Sequence, residues 1–113
     1  MDNMTTYLKN KVLNQELTGV HVALFSGAVE VAKASYTRKP VTFAAAADGQ
    51  TSNNADILFP IAQEVWGEIT HIAIFDAATA GNMLFMSPAE FVKTIDVSSQ
   101  YKIPKNYLIV RLR

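Results

Sequence analysis

Residues Trp66–Phe85 read WGEITHIAIFDAATAGNMLF. The first part alternates with the period of two that a strand imposes. Ile69, His71, Ala73 and Phe75 point one way, and Thr70, Ile72, Ile74 and Asp76 the other. Apolar side chains fall on both faces, which predicts a central strand covered on both sides. Asp76–Gly81 then supplies small, turn-forming residues, and Asn82-Met83-Leu84-Phe85 opens a second apolar run. The pattern predicts a β-hairpin whose loop is longer than the two-residue minimum. No catalytic motif interrupts it, so the stretch is there to make a core.

Downstream, Met86–Glu90 contains Pro88 and is expected to break the chain before a separate strand at Phe91–Val97. Gln100–Ile103 is extended up to Pro104. In YLIVRLR, Tyr107–Arg113, Leu108, Val110 and Leu112 share one face and Arg111 and Arg113 the other, a terminal strand with one wet side. Upstream, GVHVALFS (residues 19–26) sets Val20, Val22 and Leu24 against His21, Ala23 and Phe25. Residues 27–35 are open to a short strand or a helical turn, though their small residues and position fit a surface connection. Tyr36–Ala45 is extended, and Pro40, which has no N–H to donate, puts it at an edge. DGQTSNN, Asp48–Asn54, is the clearest loop. Ala55–Phe59 is a short strand stopped by Pro60, and Trp66 is a core anchor.

Residues 3–14 are the persuasive helix, capped by Asn3 or Thr5, with Met4, Tyr7, Leu8 and Val12 on one stripe. Leu13 and Leu17 lie well round from that stripe, and Gly19 is the stop. Such a helix is expected to close an open end of the sheet structure. Short strands at close spacing then give one domain over 1–113, helical in 1–18 and β in 19–113. The fold class is mainly β: a compact antiparallel β-sandwich or barrel with one N-terminal α-helix.

Half of the 113 residues are hydrophobic, enough for one core. Ten basic residues balance ten acidic ones, which argues against broad capture of nucleic acid or an anionic membrane. Little self-repulsion also suits a protein that associates with others. There is no cysteine, hence neither a disulfide nor a thiolate metal site. No apolar run approaches the roughly 20 residues of a membrane span. The two histidines, His21 and His71, carry no ligand spacing, and packed strand histidines are the commoner case. Asp48, Asp56 and Asp76 sit beside turns, where carboxylates bond nearby backbone. Neither an enzyme nor a cofactor is expected.

Particular segments carry a resemblance. They are PVTFAAAADGQTSNNADILFP (40–60), VWGEITHIAIFDAATAGNMLF (65–85), VKTIDV (92–97), YKIP (101–104) and the opening MTTYLKNKVLN (4–14). Together they resemble a family of small bacteriophage virion proteins, described variously as tail-fibre-like, as virion components, and as head cement or decoration proteins. The specific part is WG-x-I-T-H-I-A-I-F-D-A-A-T followed by G-N-x-L-F. SGAVEVAKAS (26–35) is shorter than the family's loop, and MSPAEFVKT (86–94) departs from its Gly-containing stretch.

The resemblance implies a structural subunit on a phage particle, made in the bacterial cytoplasm and carrying no catalytic residues. The leading expectation is a capsid cement protein on the head surface. It would bind the major capsid protein and copies of itself, as a homo-oligomer such as a trimer, with no specific nucleic acid and no membrane. The alternatives are a tail, baseplate or adsorption component, and a carbohydrate-binding module in which Trp66 or the tyrosines stack on sugars. Helix, loops and edges supply the candidate interface residues: Tyr7, Lys11, Val29, Val31, Tyr36, Arg38, Phe91 and Arg111.

Overall fold

The computed structural model describes residues 3–112. In chain order these form α1 (Thr6–Glu16), β1 (His21–Ser26), β2 (Val29–Glu30), β3 (Lys39–Pro40), β4 (Gln50–Ser52) and β5 (Ile57–Leu58). They continue with β6 (Gly67–Phe75), β7 (Met83–Ile95), β8 (Lys102–Ile103) and β9 (Ile109–Arg111). The main sheet runs β2-β1-β6-β7, with β3 also on β1; β4 pairs β9 and β5 pairs β8, all antiparallel. The main sheet stays open at both ends, so the mainly β fold with its one helix is sandwich-like and not a closed barrel.

The hairpin expected from Trp66–Phe85 forms, and β6 is its buried arm. Ile72 and Ile74 join Val22, Leu24, Phe59, Trp66 and Ile95 in the main core, while Ala73 and Phe75 meet Ala23 and Phe25 on the opposite face. Ile69 departs from the expected alternation, because it packs in the main core and not with Ala73 and Phe75. It lies where β6 outruns β1, whose pairing stops at Phe25↔His71, and where the β6–β7 register shifts. Strict period-two parity does not survive such an irregularity.

Three further expectations are corrected. Met86–Glu90 does not break the chain: β7 runs through Pro88 to Ile95, and the expected strand at Phe91–Val97 is its second half. Because β7 is the last strand of its sheet, a proline without an N–H is tolerated there. The loop Asp48–Asn54 contains β4. Asp48 and Gly49 alone make the turn, at φ 55° and 73°, the positive pair that a two-residue hairpin needs. The extended run Tyr36–Ala45 contributes only Lys39–Pro40 to a sheet, at its edge as expected.

The helix is capped by Thr5, whose hydroxyl accepts from the Leu8 amide at 3.2 Å. It docks through another face than the one expected. Leu13 and Leu17 are buried, whereas Tyr7 is 75% exposed and Leu8 43%. Asn10 and Asn14 share the docking face and accept from the Gly49 and Ala46 amides at 2.9 and 2.8 Å. Polar residues that satisfy the backbone of a neighbouring turn look like solvent residues in a sequence.

Two polar constellations hold the elements together. Asn53, fully buried, donates from Nδ2 to the Ala55 and Pro104 carbonyls at 2.8 and 3.0 Å. Its Oδ1 accepts from the Leu108 amide at 2.9 Å, and its own amide donates to the Leu108 carbonyl at 3.2 Å. The second constellation closes the outer face of β1 and β6. Between β3, which pairs at Val22, and β2, which pairs at Phe25, the Leu24 amide donates to the Tyr36 hydroxyl at 3.1 Å. That hydroxyl donates in turn to Glu30 at 2.7 Å. Arg38 grips Glu30 through Nε and Nη2, both at 2.9 Å, and lays its guanidinium 3.8 Å from the Phe75 ring centre. Its Nη1 donates to the Ala77 and Ala80 carbonyls, which ties down the loop between β6 and β7.

The Arg38 hydrogen bonds, helped by Tyr36, hold the Glu30 carboxyl below its ordinary value against the opposing effect of burial. Burial, and then the Glu30 carboxylate, push the Tyr36 phenol well above its ordinary value.

Two outcomes are expected. Asn53→Ala removes three side-chain hydrogen bonds and leaves the buried Leu108 amide without its partner; it should cost about 2–4 kcal/mol, read as a lower urea midpoint at unchanged m-value. A glutamate whose folded pKa is depressed stabilises fully above its ordinary unfolded value of 4.5, and loses that contribution as pH falls through the lower folded value. The urea midpoint of Glu30→Gln should therefore fall less steeply than that of the natural chain as pH drops below about 4.5.

Candidate functional site

A groove of about 470 Å³ opens between β7 and the β8–β9 segment, over a floor of Ile72, Ile74 and Phe85. Its outer wall comes from an irregularity in β7. Between the pairs Ile69↔Lys93 and His71↔Pro88, β6 advances two residues while β7 advances five, so Ala89–Val92 bows out of the sheet. Two bonds hold the bow: the buried Tyr101 hydroxyl donates to the Phe91 carbonyl at 2.7 Å, and Lys93 Nζ to the Gln100 carbonyl at 3.0 Å.

Phe91, carried on this bow, meets Tyr107 with ring centres 5.4 Å apart and planes tilted by 30°. Both rings are 47% exposed. Tyr107 is placed by the turn Pro104–Tyr107, in which Asn106 takes φ 71° and its amide donates to the Asn53 carbonyl at 2.9 Å. The buried Asn53 network therefore sets one wall of an exposed groove. Arg111 Nε donates to Gln50 Oε1 at 2.9 Å across the β4–β9 pair, which orients its guanidinium. Glu90 and Arg111 both line the groove, and among the described residues Glu90 has no hydrogen-bond or ion-pair partner.

The structure brings Phe91 and Arg111 of the expected interface residues into this one groove. Tyr7 and Lys11 lie together on the exposed side of α1, and Val29 stands 69% exposed beside the β1–β2 turn. The other three are engaged internally: Val31 is in the core, and Tyr36 and Arg38 form the clamp on Glu30. Glu90 and Tyr107 belong to the groove but were not among the expected residues. The signal for Tyr107 was its period, because Tyr107, Ile109 and Arg111 alternate with buried Leu108 and Val110. Nothing comparable marks Glu90, whose position follows from the bow.

His21 and His71 are not brought together; they lie at opposite ends of the β1–β6 ladder, paired with Phe75 and Phe25. Among the described residues no three His, Asp or Glu side chains converge as a metal site would require. Asp76 is a turn residue: its carboxylate accepts from the Asn82 amide at 2.7 Å and from Asn82 Nδ2 at 3.0 Å, and the first of these holds it below the ordinary carboxylate range. The groove offers aromatic faces, one acid and one guanidinium, which is the equipment of a contact surface.

The family model described as "Podophage GP4 fiber I protein gp80" matches residues 3–111. None of the curated proteins matches the chain. The family match begins ahead of the helix cap and ends in β9, so it spans every element described above. The chain belongs to the podophage GP4 fiber I protein gp80 family, and with it to the small structural proteins of bacteriophage virions.

Proposed function

We propose that the chain is a subunit of a phage fibre, built into the virion through contacts with copies of itself. The observation that carries this is the family match over residues 3–111, whose description is of a fibre protein. The capsid-cement role expected from the sequence draws no separate support from the match, whose description of a fibre protein lies closer to the tail-fibre-like alternative.

The surface supports association. Ile61, Val65 and Val97 are 55%, 51% and 56% exposed. They sit on two adjoining segments tied by Ala62 N to Ser99 O and Trp66 N to Ile95 O, at 2.8 and 2.9 Å. Exposed apolar side chains on hydrogen-bonded neighbouring segments suit an assembling subunit. The neutral charge balance puts little repulsion between copies.

Cryo-EM of virions should show the fold as fibre density on the tail side; density spread over the head shell at junctions of capsid subunits would replace the fibre role by the cement role. In solution the purified chain should sediment as an oligomer, and Val65→Asp with Val97→Asp should shift it to monomer with its circular dichroism unchanged. A monomeric natural chain would count against self-association through this patch.

A further inference from the structure

We propose that the groove between β7 and β9 binds a neutral oligosaccharide, a role separate from assembly of the fibre. Three properties of the site select that class. Its size falls within the ~300–1,000 Å³ of clefts that hold small ligands. Its wall carries a pair of half-exposed rings, Phe91 and Tyr107, with centres 5.4 Å apart. Sugar rings present one face of polarised C–H groups, which the negative face of an aromatic ring attracts, and hydroxyls around the rim, which need donors and acceptors. Arg111 supplies donors and Glu90 acceptors in the same groove.

Competing ligands fit less well. A single cation beside a carboxylate gives no grip on a run of phosphates, so a nucleic acid is disfavoured. Opposite charges on one groove likewise select against a strongly charged ligand of either sign. An added β-strand would need a free edge on β7. Pro88 has no N–H there, the Phe91 carbonyl already accepts from Tyr101, and Lys93 charges the same stretch. The bowed, blunted edge leaves recognition to side chains, and those present suit a polyhydroxylated ring.

The groove is also prepared before any ligand arrives. Tyr107 is fixed through Asn106 and Asn53, Phe91 through Tyr101, and Arg111 through Gln50. These bonds place the backbone that carries the two rings and the Arg111 side chain itself, which lowers the ordering cost of binding.

The test is a titration of the ¹⁵N-labelled full chain with neutral trisaccharides of gluco, N-acetylglucosamine and rhamno configuration, followed by amide shifts. At least one should produce saturable shifts centred on Phe91, Tyr107, Ile109 and Arg111, at a dissociation constant on the order of 1 mM. Tyr107→Ala and Arg111→Ala, both surface changes, should each weaken binding about tenfold with the remaining spectrum intact, while Val29→Ser should leave it unchanged. The proposal is overturned if no trisaccharide saturates below about 20 mM, or if the affinity survives Tyr107→Ala. Shifts of the same amides with protein concentration and no sugar would show the groove covered by a second copy, and would overturn it too. Because the fibre role is read from the virion and this site from the isolated chain, either can fail alone.

Discussion

Burial of β6 on both faces is the constraint to which the other elements answer. One face presents Ile72 and Ile74 to the main core, built from the helix, β1, the segment around Phe59 and Trp66, and the C-terminal strands. The other presents Ala73 and Phe75, which only Ala23 and Phe25 of β1 accompany. Among the described residues no second sheet covers that face. The Phe25 and Phe75 rings stack 6.2 Å apart, and Arg38 covers Phe75 while two Glu30 oxygens and two loop carbonyls hold its guanidinium. A guanidinium serves here because it presents a flat, weakly hydrated face to the ring and keeps its donors in plane for the carboxylate. A small domain thus covers a two-sided strand without a further layer of structure.

Polar residues perform much of the remaining organisation. Asn53 replaces ladder bonds that an irregular crossing of four segments would otherwise leave unmade, and through Asn106 it fixes Tyr107 at the surface. Asn10 and Asn14 do the same for the helix against the turn before β4. An unpaired amide is costly where it is buried, as at Asn53, so that residue specifies one arrangement of its neighbours. Through Asn106 the Tyr107 wall of the groove is tied to that network, although the wall itself is exposed.

The β6–β7 hairpin was legible because period-two apolar alternation followed by a cluster of small turn residues fits a helix or an irregular loop poorly. The same holds for β1, for the terminal strand, and for Pro40 at an edge. The helix docking face was not legible, since Asn10, Asn14 and the Leu13–Leu17 pair do not make an apolar stripe. β4 was hidden in DGQTSNN because its pairing with β9 relies on backbone and on buried Thr51 and Asn53. Continuity of β7 through Pro88 required knowing that β7 is an edge strand. Of the candidate interface, Phe91 and Arg111 were found, but their convergence depends on the bow at Ala89–Val92, which has no signature in residue type. Val31, Tyr36 and Arg38 looked available because an aromatic and a basic residue in a connecting segment resemble surface chemistry. Only the register of β2 and β3 on β1 shows them facing inward.

A buried β1–β6 centre supports a groove whose outer wall is the exposed, bowed stretch of β7. Amide hydrogen exchange measured residue by residue tests this most directly, because protection ranks elements by the opening that exposes them. The amides of Val22–Phe25 and Ile72–Phe75 should exchange only by global unfolding, with the solvent-facing amides of Ala89–Val92 exchanging orders of magnitude faster. Protection at Ala89–Val92 equal to that of β6, or a β6 that exchanges ahead of β7, would contradict a rigid centre carrying a looser binding edge.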